Sequence, residues 1–130
     1  MENIFVKGTK RTPEINFKLN GFLSINGISI PEDATEFYRT TFEWLDKYEK
    51  LDPENIHLKI NFVYINTTST SMILRILKKV FAVCSNKENL KISWTYEKDD
   101  TDMYDQGKVL EKLVGHTFQF EQVDSSEEED

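Results

Sequence analysis

The stretch HLKINFVYINTTSTSMILRILKKVFAVC, residues 57–84, decides the fold. Its beginning alternates. Leu58, Ile60, Phe62 and Tyr64 fall on one face and His57, Lys59 and Asn61 on the other, the period of a half-buried strand. From about Met72 the period lengthens. Met72, Ile73, Ile76, Leu77, Val80, Phe81 and Cys84 make a broad apolar stripe at helical spacing. Asn66-Thr67-Thr68-Ser69-Thr70-Ser71 joins the two as a turn.

The same grammar continues on both sides. Downstream, Leu90, Ile92, Trp94 and Tyr96 alternate with Lys91, Ser93 and Thr95, a helix is predicted over residues 99–114, and Phe118 and Phe120 alternate again. Gly107 sits in the apolar line of that helix with Met103, Leu110 and Val114, which implies a close helix–sheet approach. Upstream, residues 1–13 are polar and are read without an element. Ile15, Phe17 and Leu19 form a strand, Asn20-Gly21 signals a hairpin, and Leu23 and Ile25 resume the alternation. A strict two-residue turn would set the apolar sets on opposite faces, so a longer turn pairing Leu19 with Leu23 is expected. Pro31-Glu32-Asp33 opens a helix carrying Ala34, Phe37, Tyr38, Trp44, Leu45 and Tyr48, and Pro53 closes it.

These elements predict an α/β domain with a mixed five-stranded sheet, an N-terminal β-hairpin continued by parallel β-α-β units with right-handed crossovers. Every strand alternates, whereas a sheet buried on both faces reads as continuous apolar runs, so the helices are expected mainly on one face. One domain over residues 1–123 and an acidic, disordered tail over 124–130 complete the organisation.

Charge and composition narrow the function classes. The net charge of −7 owes five acids to Asp124, Glu127, Glu128, Glu129 and Asp130, which leaves the body with 18 acidic against 16 basic residues. Such a body has no basic footprint, so no nucleic-acid partner is expected. The single Cys84 excludes an internal disulfide and builds no zinc site by itself. His57 and His116 lack metal-ligand spacing, and Glu97-Lys98-Asp99-Asp100-Thr101-Asp102 lacks the glycine and distal glutamate of a calcium loop. No metal, cofactor or membrane insertion is expected, and the chain reads as cytoplasmic.

The unusual segment is the hydroxyl run. Helix capping accounts for one Ser or Thr at a helix start, because one side-chain oxygen satisfies one first-turn amide. It does not account for five hydroxyls in succession, from Thr67 to Ser71. A helix N-terminus also favours an anion or a covalent phosphate. The run contains no glycine and no lysine, unlike a nucleotide-phosphate loop.

Further motifs carry a resemblance. Thr12-Pro13-Glu14-Ile15 comes first, then Gly21-x-Leu23-x-Ile25-x-Gly27-x-Ser29-x-Pro31-Glu32-Asp33 and Phe37-Tyr38. Tyr64-x-Asn66-Thr67-Thr68-Ser69 follows, and then Trp94-x-Tyr96 with acidic residues after it. Their order and spacing over residues 8–120 resemble the SiaC-like family of regulatory phosphoproteins. The resemblance implies a STAS-like fold and a non-catalytic role in a partner-switching system of cyclic di-GMP signalling. It implies phosphorylation by a protein kinase, removal of the phosphate by a PP2C-type phosphatase, and an effector such as a diguanylate cyclase that binds the unmodified form. The acceptor carried over is Thr67, then Thr68, then Ser69, and partner binding falls on Asn66, Thr67, Thr68, Ser69, Thr70 and Ser71. This chain has Thr68 where the family tends towards Ser, and Ser71 where a Lys is common.

Two rival readings use the same turn. One is a small-molecule or nucleotide-phosphate sensing domain. The other is an enzyme with Thr67 or Ser69 as nucleophile, which would need an adjacent base. No catalytic residue is assigned.

Overall fold

The computed structural model describes residues 1–124; the tail residues 125–130, where disorder is expected, lie outside the described residues. The elements are β1 (Ile4–Val6), β2 (Glu14–Phe17), β3 (Phe22–Ser29), α1 (Ala34–Glu49), β4 (Ile56–Ile65), α2 (Thr67–Val83), β5 (Leu90–Glu97), α3 (Thr101–Val114) and β6 (Gln119–Val123). They form one six-stranded sheet in the order β1-β2-β3-β4-β5-β6. The first two pairings are antiparallel and the last three parallel. Each parallel connection carries a helix and moves the chain one strand further in the same direction. Right-handed crossovers then place α1, α2 and α3 on one face.

The core is this single interface. Leu58, Ile60, Phe62, Leu90, Ile92, Trp94 and Phe118 are buried beneath the helices, with Phe120 partly buried beside them. Against them α2 presses Ile73, Ile76, Leu77 and Val80, all fully buried. Phe81, read from the sequence as part of that stripe, lies on the helix flank and is only partly buried. The opposite sheet face is polar, carrying Asn16, Ser24, His57, Lys59, Asn61 and Glu121.

Four expectations are corrected. The sheet has six strands rather than five, because Ile4–Val6 pairs with β2 through Ile4↔Phe17 and Val6↔Ile15. Three residues are too few to show a period, and this strand is held by tertiary partners. The Trp44 indole N–H donates to the Glu2 carbonyl at 2.7 Å, and the Leu19 amide donates to Asn3 Oδ1 at 2.7 Å. In the hairpin, Phe17 rather than Leu19 pairs with Leu23. The chain turns where the Gly21 amide donates to the Lys18 carbonyl at 3.0 Å, with Gly21 at φ 98°. The longer turn does keep both apolar sets on one face. Leu19 itself is left at the surface.

The third correction concerns Tyr64, which is 57% exposed, whereas Ile65 is buried. Gly27 pairs with Phe62 but Ile28 pairs with Tyr64, so Val63 is an extra residue in β4. Such a bulge inverts the inward–outward alternation beyond it. The fourth is the start of α2, which begins at Thr67 rather than near Met72. The hydroxyl run therefore opens the helix, and its polar composition hides this start from any search for an apolar stripe.

Candidate functional site

The bulge aims the end of β4 at the site. With Ile65 turned inward, Asn66 follows at the rim of the sheet, where its amide donates to the Ser29 carbonyl at the end of β3, 3.1 Å away. This rim lies at the carboxyl ends of parallel strands, the usual place for function in such sheets. Asn66 is the N-cap of α2, extended at φ −86° and ψ 172°. Its Oδ1 accepts from the Ser69 amide at 2.9 Å and from the Thr68 hydroxyl at 3.3 Å. Its carbonyl accepts from both the amide and the hydroxyl of Thr70, at 2.9 and 3.0 Å.

The hydroxyls thus divide by role. Thr67, Thr68 and Ser71 are exposed, and Thr70 is half-buried. Ser69 is fully buried and faces the core. There the Ser29 hydroxyl donates to Ser69 Oγ at 2.9 Å, and Tyr38 OH lies 2.6 Å from Ser29 Oγ. Ser29 has one proton and gives it to Ser69, so Tyr38 is the donor of the second bond. Burial pushes the Tyr38 phenol up to about 12, with its hydrogen bond to Ser29 acting in the opposite direction. The phenol is therefore a fixed neutral donor. This chain of hydroxyls ties the first turn of α2 to β3 and to α1. Sequence reasoning gave Ser29 no role and read Tyr38 only as an apolar member of its helix, although both stand within the motifs of the family resemblance.

The electrostatics of the turn are those of an open helix end. The first turns of α1 and α3 carry Glu36 and Asp102, whereas that of α2 carries no acid. The amides of Thr67 and Thr68 have no acceptor among the described hydrogen bonds. Two free N–H groups and an uncompensated dipole favour negative charge at this point. No histidine reaches it. His57 Nε2 lies 2.9 Å from Ser93 Oγ on the polar sheet face, and His116 Nε2 meets the Leu90 carbonyl at 2.8 Å. Asp100, from the acidic run before α3, serves as that helix's N-cap by accepting from the Met103 amide at 3.0 Å. Among the described residues no cluster of three or more His, Cys, Asp or Glu side chains is placed to hold a metal, and no helix is long and apolar enough to cross a membrane.

Known proteins share the fold that carries this turn. A solved structure of SiaC of Pseudomonas aeruginosa superposes with a TM-score of 0.78 at 21% identity, covering 93% of this chain and 97% of that one. A chain of a crystal structure of the diguanylate cyclase SiaD in complex with its activator SiaC, from the same bacterium, gives a TM-score of 0.83 at 20% identity, covering 92% of this chain and 99% of that one. At these identities the likeness concerns the fold. A curated protein of P. aeruginosa strain UCBPP-PA14 is 24% identical over 99 residues, 75% of this chain and 79% of that protein. The profile of the SiaC family regulatory phosphoproteins matches residues 6–123. By that match over nearly all of the described residues, the chain belongs to the SiaC family of regulatory phosphoproteins, a regulator and not a catalyst.

Proposed function

We propose that this protein is a phosphorylation-controlled partner switch, modified reversibly on Thr67 by a protein kinase and restored by a PP2C-type phosphatase in the cytoplasm. Its unmodified form binds and activates an effector, a diguanylate cyclase. The observation that carries the reading is an exposed hydroxyl at the first position of a helix whose opening turn has no acid and two free amides. A phosphate there gains the dipole and the amides without unfolding the domain. The SiaC of P. aeruginosa, described as the activator of SiaD, supplies the kind of effector. Thr68 is exposed and is the second candidate acceptor; the burial of Ser69 speaks against the third. Residues 1–123 act as one regulatory domain in this reading.

A partner surface fitted to a neutral hydroxyl turn must desolvate a dianion once the phosphate is attached. An unpaired buried charge costs several kcal/mol. Thr67→Asp should therefore weaken effector binding by about tenfold or more, while Thr67→Ala binds like the unmodified chain. Calorimetry with a purified diguanylate cyclase reads the affinities, and phosphopeptide mapping after treatment with the kinase reads the acceptor. Phosphate found only on Ser125 or Ser126, or equal affinity of the unmodified and phosphorylated forms, overturns the proposal.

A further inference from the structure

The hydroxyl turn has two flanks. At about 3.6 residues per turn, Thr67, Thr70, Leu74 and Phe81 share one side of α2, and Thr68, Arg75 and Lys79 share the other. The contacts identify each side. The Arg75 guanidinium lies over the Phe42 ring of α1 at 5.2 Å, and Lys79 pairs with Asp46 and Glu49 of α1 at 2.8 and 3.1 Å. Thr70 instead lines a groove of about 440 Å³ with Asp102, Asp105, Gln106 and Val109 of α3. By this spacing Thr67 shares the flank of Thr70, which borders the α2–α3 groove, and Thr68 shares the flank that meets α1.

The groove has an apolar wall and an acidic rim. Val109 lines it and is 58% exposed, and Leu113, one turn further along α3, continues the apolar stripe at 53% exposed. Asp102 and Asp105 are exposed and form no ion pair among the described residues. The exposed acids of α1 are different: Glu36 and Glu43 hold Arg39, and Asp46 and Glu49 hold Lys79. The two carboxylates of α3 are unpaired beside an exposed apolar pair, and a cationic, amphipathic occupant complements both.

We propose that the effector docks in the α2–α3 groove through an amphipathic segment, its apolar side chains on Val109 and Leu113 and a lysine or arginine between Asp102 and Asp105. This rests on the partner-switch reading above and deepens it, because it assigns the two exposed threonines different consequences. A bulky, hydrated phosphate on Thr67 blocks the head of the groove. A phosphate on Thr68 projects towards α1 and leaves the groove open. A second copy of the chain fits less well, since one stripe of a 14-residue helix offers less than the roughly 1,200 Å² of a stable interface.

The test uses the full chain and a purified diguanylate cyclase from the same organism, with calorimetry as the readout. Val109→Glu and Asp105→Lys should each weaken binding about tenfold or more, with circular dichroism and urea midpoints unchanged. Phe5→Glu, on the edge strand β1 at the far side of the sheet and 61% exposed in the wild type, should bind normally. If Thr67→Asp weakens binding and the groove variants do not, the switch stands and the docking site is wrong. If the groove variants weaken binding and Thr67→Asp does not, the docking site stands and the switch is wrong. A concentration-dependent dimer in sedimentation, abolished by Val109→Glu, would give the groove to a second copy and overturn the proposal.

Discussion

Ser69 and Thr67 are two residues apart and have opposite duties. Ser69→Ala removes the acceptor of the buried Ser29 hydroxyl, and a stranded buried donor costs about 1–3 kcal/mol. Asn66→Ala removes the acceptor of the Ser69 amide and should cost about 1 kcal/mol. Thr67→Ala touches neither and should stay within about 0.5 kcal/mol of wild type. Urea denaturation of the three variants checks this order. Equal losses at Thr67 and Ser69 would mean that the first turn is not pinned from inside. The hydroxyl run is legible in the sequence as unusual, but its division into inward and outward members is not. Five adjacent residues sweep more than a full helical turn, so the division depends on where the helix begins, which the β4 bulge and the Asn66 cap decide.

At the scale of elements, α3 meets the sheet through a missing side chain. A Cβ on Gly107 would lie 2.5 Å from Cδ1 and Nε1 of Trp94 and 2.8 Å from Cε1 of Phe120. The Phe120 ring is partly buried and can yield. Trp94 is 1% exposed, and its indole N–H is spent on the Met103 carbonyl at 2.9 Å, so it cannot. Gly107→Ala should thus cost about 1–3 kcal/mol through overpacking, despite alanine's advantage of about 1 kcal/mol inside a helix. A urea midpoint at or above wild type would refute the close approach. The glycine in an apolar line predicts this approach from sequence. The strand it meets is visible only in the fold.

For the molecule as a whole, the polar sheet face makes stability depend on pH. Burial, and next the positive charge of Lys91, hold the His57 imidazole below its ordinary value of 6.5, while Glu121 opposes them. The unfolded chain takes up this proton near pH 6.5, and the folded chain resists it. The resulting contribution is present above 6.5 and is lost as pH falls through 6.5 towards the lowered folded value. His57→Gln should flatten the fall in urea midpoint between about pH 7.5 and 5.5. An unchanged slope would remove His57 from the account. By itself the sequence determined the order of elements from β2 onward, the parallel second half and the single helix-covered face, because strand and helix periods are local consequences of burial on one side. It also marked the turn after β4 as the place of interest. Only the tertiary structure decided what short or irregular segments do: β1, docked by Glu2 and Asn3; the Val63 bulge, which turns Ile65 inward; and the separation of Thr67, Thr68 and Ser69 onto three sides of one helix. These depend on contacts between residues distant in the chain, and local periodicity carries no record of such contacts.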